Sequence, residues 1–149
     1  MSIVLSRKAK YGLKAMLSLA KEQGQGPVLV KDLAERDAIP KKFLEAILLE
    51  LKHQGLVHSR KGKGGGYQLG RTPDAITFGQ VIRVLEGPLA AVPCVSQTAY
   101  MRCVDCPDER TCGVRLAMGE VRDATARILD HMTLADVNRR LARKRPKTA

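Results

Sequence analysis

The chain contains no tryptophan, and only two phenylalanines and three tyrosines in 149 residues. With hydrophobic residues at 44% but aromatics at 3%, any core must be aliphatic. No apolar run approaches the roughly 18 residues needed to span a bilayer. The opening MSIVLSRKAK is no secretory signal, because its apolar stretch is short and its basic residues follow rather than precede it. These absences point to a cytoplasmic protein with no membrane contact. No internal repeat is visible, and there are no paired carboxylates in a plausible cleft and no Ser/His/Asp arrangement, so catalysis is not expected. The last eleven residues hold no acid at all.

The charge that is present is uneven. Net charge is +11. Residues 1–72 carry 14 Lys/Arg against 6 Asp/Glu, residues 73–138 carry 6 against 9, and residues 139–149 carry six cations unopposed. A basic front and a basic tail around an acidic middle suggest a polyanionic partner, although solubility alone would also account for a positive balance.

Hydrophobic spacing organises the front of the chain. Leu13, Met16, Leu17 and Ala20 recur at helical intervals within residues 6–22, with Ser6 as a cap and GQGP (24–27) as a terminator. A short helix over about 30–37, a turn at Ala38–Ile39, and a second helix opened by Pro40 at its first position and closed near Gly55 form a helix-turn-helix pattern. On the second helix Phe43, Leu44, Ile47, Leu48 and Leu51 share one side, and Lys41, Lys42, Glu45, Leu49 and Lys52 share the other. A solvated face would look the same. The next segment raises the functional reading: GLVHSRKGKGGGYQLG (55–70) has apolar strand residues on both sides of a small cationic tip. It is no nucleotide-binding loop, because Tyr67 and Gln68 follow the glycines where Lys and Ser/Thr would be required. A hairpin with such a tip after a helix-turn-helix is a DNA-contacting wing. Gly64 and Gly65 would allow close backbone approach, and Arg60, Lys61 and Lys63 would meet phosphates. A carboxylate on a DNA-facing helix is unfavourable unless it accepts from a cytosine amino group, so Glu45 is the expected base-reading residue beside Lys41 and Lys42.

The fold class expected is therefore mainly α with a small β-hairpin wing. Residues 1–72 form the winged helix-turn-helix, 73–113 a connecting helix (74–88, capped near Thr77) and a cysteine-rich loop, and 114–149 a long helix (114–132), a short helix from about Thr133 and a basic tail. Leu116, Ala117, Val121, Ala124 and Ile128 lie near one face of residues 114–132, with more apolar surface than the neighbouring loop can cover, which predicts a homodimer.

All four cysteines fall within 19 residues, at Cys94, Cys103, Cys106 and Cys112. In a reducing compartment such clustering means metal or redox chemistry rather than a structural disulfide. Four thiolates suit a [2Fe–2S] or [4Fe–4S] cluster or a Cys₄ zinc site, and a thiol switch needs no metal. The spacing C-x8-C-x2-C-x5-C has a single C-x2-C knuckle, where zinc ribbons usually have two. His53, His58 and His131 lie away from the cysteines in sequence. A small redox protein or metal carrier is the reading from another functional class.

LSRKAKYGLKAM (5–16), IPKKFLEAILLELKHQGLVHSRKGKGGGYQL (39–69), ITFGQVIRVLEGP (76–88), the cysteine cluster and TLADV (133–137) together resemble the IscR/NsrR-type family of bacterial winged-helix regulators, in the family's order. The resemblance implies a homodimer with a long helix crossing between subunits, a double-stranded operator of two-fold character, and a sensor cluster held by three cysteines and a variable fourth ligand. Cys106 and Cys112 match the last two of that trio, and Cys94 or Cys103 the first. Where one branch places a His three residues after the last Cys, this chain has Arg115, and the N-terminal stretch where another branch supplies an acid reads Arg7-Lys8-Ala9-Lys10. The additional cysteine would then complete a four-thiolate set, and the whole implies a DNA-binding transcriptional regulator controlled by an iron–sulfur cluster.

Overall fold

A computed structural model describes residues 4–145. Helix α1 spans Arg7–Lys21, and Ser6, in extended conformation, accepts from the Ala9 amide at 3.1 Å. Helix α2 (Val30–Asp37) ends at Ala38, the one non-glycine residue with positive φ (54°) among the described residues. That left-handed residue folds the chain sharply into α3 (Lys41–His53) and defines the helix-turn-helix. Pro40 stands one position earlier than expected: its extended ψ makes it the cap, and its carbonyl accepts from Leu44 at 2.9 Å. At the far end, Leu56 donates to Leu51 and Gly55, at φ 74°, donates to Lys52, both at 3.0 Å. This pairing closes the helix with buried Leu51 and Leu56 at the turn.

Strands β1 (Val57–Arg60) and β2 (Gly66–Leu69) pair antiparallel, Val57 with Leu69 through Arg60 with Gly66, and leave residues 61–65 as the tip. A third contributor is not legible in the sequence. Val28 exchanges two 2.8 Å backbone hydrogen bonds with Tyr67, so the segment after α1 does more than terminate the helix: it secures the wing to the body. Helix α4 (Phe78–Glu86) begins with a reciprocal Thr77/Gln80 capping box. It packs on α1 and α3, and the Ser6 amide donates to the Glu86 carboxylate.

The core formed by these helices is aliphatic. Met16, Leu19, Leu33, Leu44, Ile47, Leu48, Leu51, Ile76, Val81 and Leu134 are its largest fully buried side chains together with Val57. Tyr11, Phe43, Tyr67 and Phe78 are only partly buried against it, Tyr11 and Phe43 edge to face at 5.6 Å. Helix α5 (Gly113–Leu129) has no buried residue, and Val114, Leu116, Val121 and Ile128 are 48–69% exposed. It stops three residues short of the expected end. Asp130 is drawn into a bidentate pair with Arg83 of α4, and the Met132 carbonyl accepts from the Phe78 amide at 2.9 Å, which turns the chain away. Helix α6 (Leu134–Lys144) opens with a second capping box, Thr133 with Asp136, and inserts Leu134 into the core. Its Asn138 amide donates to the Leu17 carbonyl of α1 at 3.1 Å. No helix is long and apolar enough to cross a membrane among the described residues.

Candidate nucleic-acid interface and cysteine loop

Leu44, Ile47, Leu48 and Leu51 hold α3 by its buried face, which turns Lys41, Lys42, Glu45, Leu49 and Lys52 outward. Glu45 lies 3.9 Å from Lys41, with both side chains about half exposed, so the pair is loose and each partner can be drawn to another ligand. Arg60, Lys61 and Lys63 are exposed on the wing, and none has an ion pair among the described residues. The helix face and the wing thus present six cations and one carboxylate.

The tip glycines divide by role. Gly64 is exposed, with φ 75°. Gly65 is buried: its amide donates to Gly62 at 3.0 Å, and a Cβ there would strike the Arg60 carbonyl. Gly66, at φ 140°, lies where a Cβ would strike the Val28 carbonyl. Gly65 therefore closes the turn rather than offering backbone to a ligand. Gly66, which nothing in the sequence marks out from its neighbours, seats the wing on the Val28 segment.

Between α4 and α5 the chain follows short turns, and here the four cysteines gather. Cys94 is buried in the turn Pro93–Val95. The neighbouring Cys94 thiol, then burial, pushes the Cys103 thiol above its ordinary pKa. The Cys106 amide donates to the Cys103 carbonyl at 3.2 Å, and Arg102 clamps the same bend through the Cys106 and Pro107 carbonyls at 3.1 Å. Cys112 caps α5, its sulfur accepting from the Arg115 amide at 3.4 Å. Arg115 and Arg122 flank Cys94 and Tyr100 across an open cleft of about 400 Å³. The Nε atoms of both arginines are buried without a hydrogen-bond partner among the described residues. Soft donors offset by nearby cations suit a thiolate-held group. As folded, no three Cys, His, Asp or Glu among the described residues lie close enough to hold one metal ion. The histidines take no part: His131 hydrogen-bonds through Nδ1 with the Arg127 carbonyl at 2.8 Å, and His53 and His58 are exposed beside α3 and the wing.

The sequence profile of Rrf2, described as an iron-dependent transcriptional regulator, matches residues 5–140. The chain belongs to the Rrf2 family. The HTH-type transcriptional regulator CymR of Bacillus subtilis is 39% identical over 133 residues, covering 89% of this chain and 88% of CymR. The structure of CymR, described as the global cysteine regulator of that organism, superposes with a TM-score of 0.75 at 36% identity, covering 91% of this chain and 95% of CymR. IscR of T. potens superposes equally well, TM-score 0.75 at 31% identity, over 98% of this chain and 94% of IscR. An Rrf2 protein with a helix-turn-helix and wing is a DNA-binding transcriptional regulator, and its relatives are named as regulators rather than enzymes.

Proposed function

We propose that this Rrf2 regulator binds a double-stranded operator of two-fold character as a homodimer, and that its affinity is set by an iron–sulfur cluster, [2Fe–2S] or [4Fe–4S], on Cys94, Cys103, Cys106 and Cys112. The observation that carries the reading is the position of the cysteine loop. Cys112 is the N-cap of α5, and the other end of α5 is tied to α4 through Asp130 and Arg83. Helix α4 packs on α1 and α3, so a change in the loop can reach the DNA-facing helix through three packed elements. When bound, a cluster supplies an oxidisable, acid-labile group whose loss releases the thiolates. The protein supplies four soft donors, three guanidinium groups (Arg102, Arg115 and Arg122) that offset their charge, and a backbone bend held by Arg102.

On the DNA side, Lys41, Lys42, Arg60, Lys61 and Lys63 contact phosphates, Gly64 approaches the backbone, Gly65 shapes the tip, and Glu45 reads a base. The exposed apolar stripe of α5 supplies the subunit interface. Anaerobic purification tests the sensor: visible absorbance, iron and sulfide content, and operator affinity before and after cluster removal. Cluster-dependent affinity supports the reading. Stoichiometric zinc with no iron overturns it in favour of a structural metal.

A second reading draws on a specific interaction. The Cys94 and Cys103 thiols are near enough to influence one another, and such a neighbouring pair suits a metal-free thiol switch. Affinity that follows the free-thiol count of iron-free protein would select it.

A further inference from the structure

We propose that the basic end of α6 is a second DNA-contacting surface that holds duplex backbone flanking the operator. The inference rests on the DNA-binding reading above and extends it to residues outside the helix-turn-helix and wing.

Residues 139–149 carry six Lys/Arg and no Asp/Glu. Arg139 through Arg145 form an unbroken exposed stretch. Arg139 pairs with Asp136, but Arg140, Arg143, Lys144 and Arg145 have no ion pair among the described residues. The segment that carries them is fixed: the Thr133/Asp136 capping box starts α6, Leu134 is fully buried, and Asn138 bonds to the Leu17 carbonyl.

Its placement gives the charge a direction. The last turn of α6 lies beside the last turn of α1, where Lys21, Leu141, Lys144 and Arg145 line one cleft of about 560 Å³. The chain leaving that α1 turn packs on the wing, where Glu22, Gly24, Val28, Tyr67 and Gln68 line another. The basic end and strand β2 thus bracket the same turn of α1.

Cations in a last helical turn also offset the helix dipole. One or two suffice for that. Four unpaired cations within six residues repel one another unless a polyanion neutralises them, and arginine forks match phosphate oxygens in pairs. A duplex that lies against the wing and extends past it is the polyanion this placement serves.

The test uses an operator recovered by selection from a randomised duplex pool, in two lengths. One is the minimal site, and the other is extended by about 10 base pairs, one helical turn, at each end. Fluorescence anisotropy over a salt series compares the wild type with the full-length quadruple variant Arg140→Gln, Arg143→Gln, Lys144→Gln, Arg145→Gln, with thermal melts as the folding control. The wild type should bind the longer duplex more tightly. The variant should match the wild type on the minimal site and forfeit the advantage of length. On the longer duplex its salt slope should fall by roughly 0.9 for each phosphate it no longer neutralises. Equal affinity and slope on both duplexes would overturn the proposal and redirect the basic end to an acidic protein surface. An equal loss on both lengths would also overturn it. Lys61→Ala with Lys63→Ala serves as the separate control: if that variant binds the minimal site normally, the DNA-binding surface itself is misassigned, whatever the basic end does.

Discussion

Gly79, Asp130 and Arg83 form the joint between the winged-helix body and the long helix, and a double-mutant cycle can measure it. Arg83 meets both oxygens of Asp130, at 2.5 and 2.9 Å, with the side chains 32% and 36% exposed. Exposed ion pairs contribute about 0.2–1 kcal/mol, and hydrogen bonds to charged groups about 1.5–3 kcal/mol. This half-exposed bidentate pair falls between, so Asp130→Ala should cost about 1–2 kcal/mol, or roughly 2–8 °C in Tm for a chain of this size. A Cβ on Gly79 would strike Asp130 Oδ1 and crowd the Arg83 guanidinium. Gly79→Ala should therefore expel the carboxylate and destabilise wild type by a similar amount, reduced by the better helix propensity of Ala, about 0.5–1 kcal/mol. With Asp130 already removed the space is free, so Gly79→Ala should become neutral or stabilising. The hydrogen bond with Arg83 holds the Asp130 carboxyl below its usual pKa, and burial opposes that shift. A depressed carboxylate contributes stability that is present above its unfolded pKa of about 3.9 and lost as pH falls through the lower folded value. The gap between wild type and Asp130→Ala should thus be full at pH 7 and shrink below about pH 4. Urea unfolding followed by circular dichroism, at fixed protein concentration because subunit association shifts apparent stability, measures all four chains. Equal cost of Gly79→Ala in both backgrounds, or a gap independent of pH, would refute this account of the joint.

Lys61→Ala combined with Lys63→Ala should weaken binding to every duplex and flatten the salt dependence by roughly 0.9 for each phosphate left unneutralised, read by anisotropy. Glu45→Ala should instead relax preference at one base position, a discrimination of about 1–3 kcal/mol, in a selection experiment; an unchanged preferred site would leave Glu45 only its loose pairing with Lys41. Val121 is 48% exposed on the apolar stripe of α5, so Val121→Asp should split the proposed dimer in light scattering and lower operator affinity, because two half-sites no longer act together. Cys112→Ser should abolish iron retention in anaerobic preparations, whereas full iron and an unaltered spectrum in Cys94→Ser or Cys103→Ser would make that residue a bystander.

Local chemistry makes much of this protein readable from its sequence. Ser6, Thr77 and Thr133 announce their helices because a cap acts over three residues, and the i, i+3, i+4 spacing in α3 names the face that must be buried, and with it the face left for Lys41, Lys42 and Glu45. The wing is legible because apolar strands flank a glycine-rich tip, and the cysteine loop because four thiols fall close together along the chain. What depends on groups distant in sequence is not readable. Val28 contributes a single bridge, too short for any alternation to mark it. The tip glycines look alike in sequence, yet Gly66 is required by a carbonyl 38 residues away and Gly65 by one five residues away. Helix α5 stops early because Arg83, 47 residues upstream, captures Asp130. The family's pattern leaves Cys94 and Cys103 as rivals for one place, and where each thiol lies depends on the turn at Pro93 and the bend held by Arg102. Periodicity and capping are properties of neighbouring residues, so the sequence determines them directly; pairing between remote groups exists only once the core of α1, α3 and α4 has fixed the distances between them.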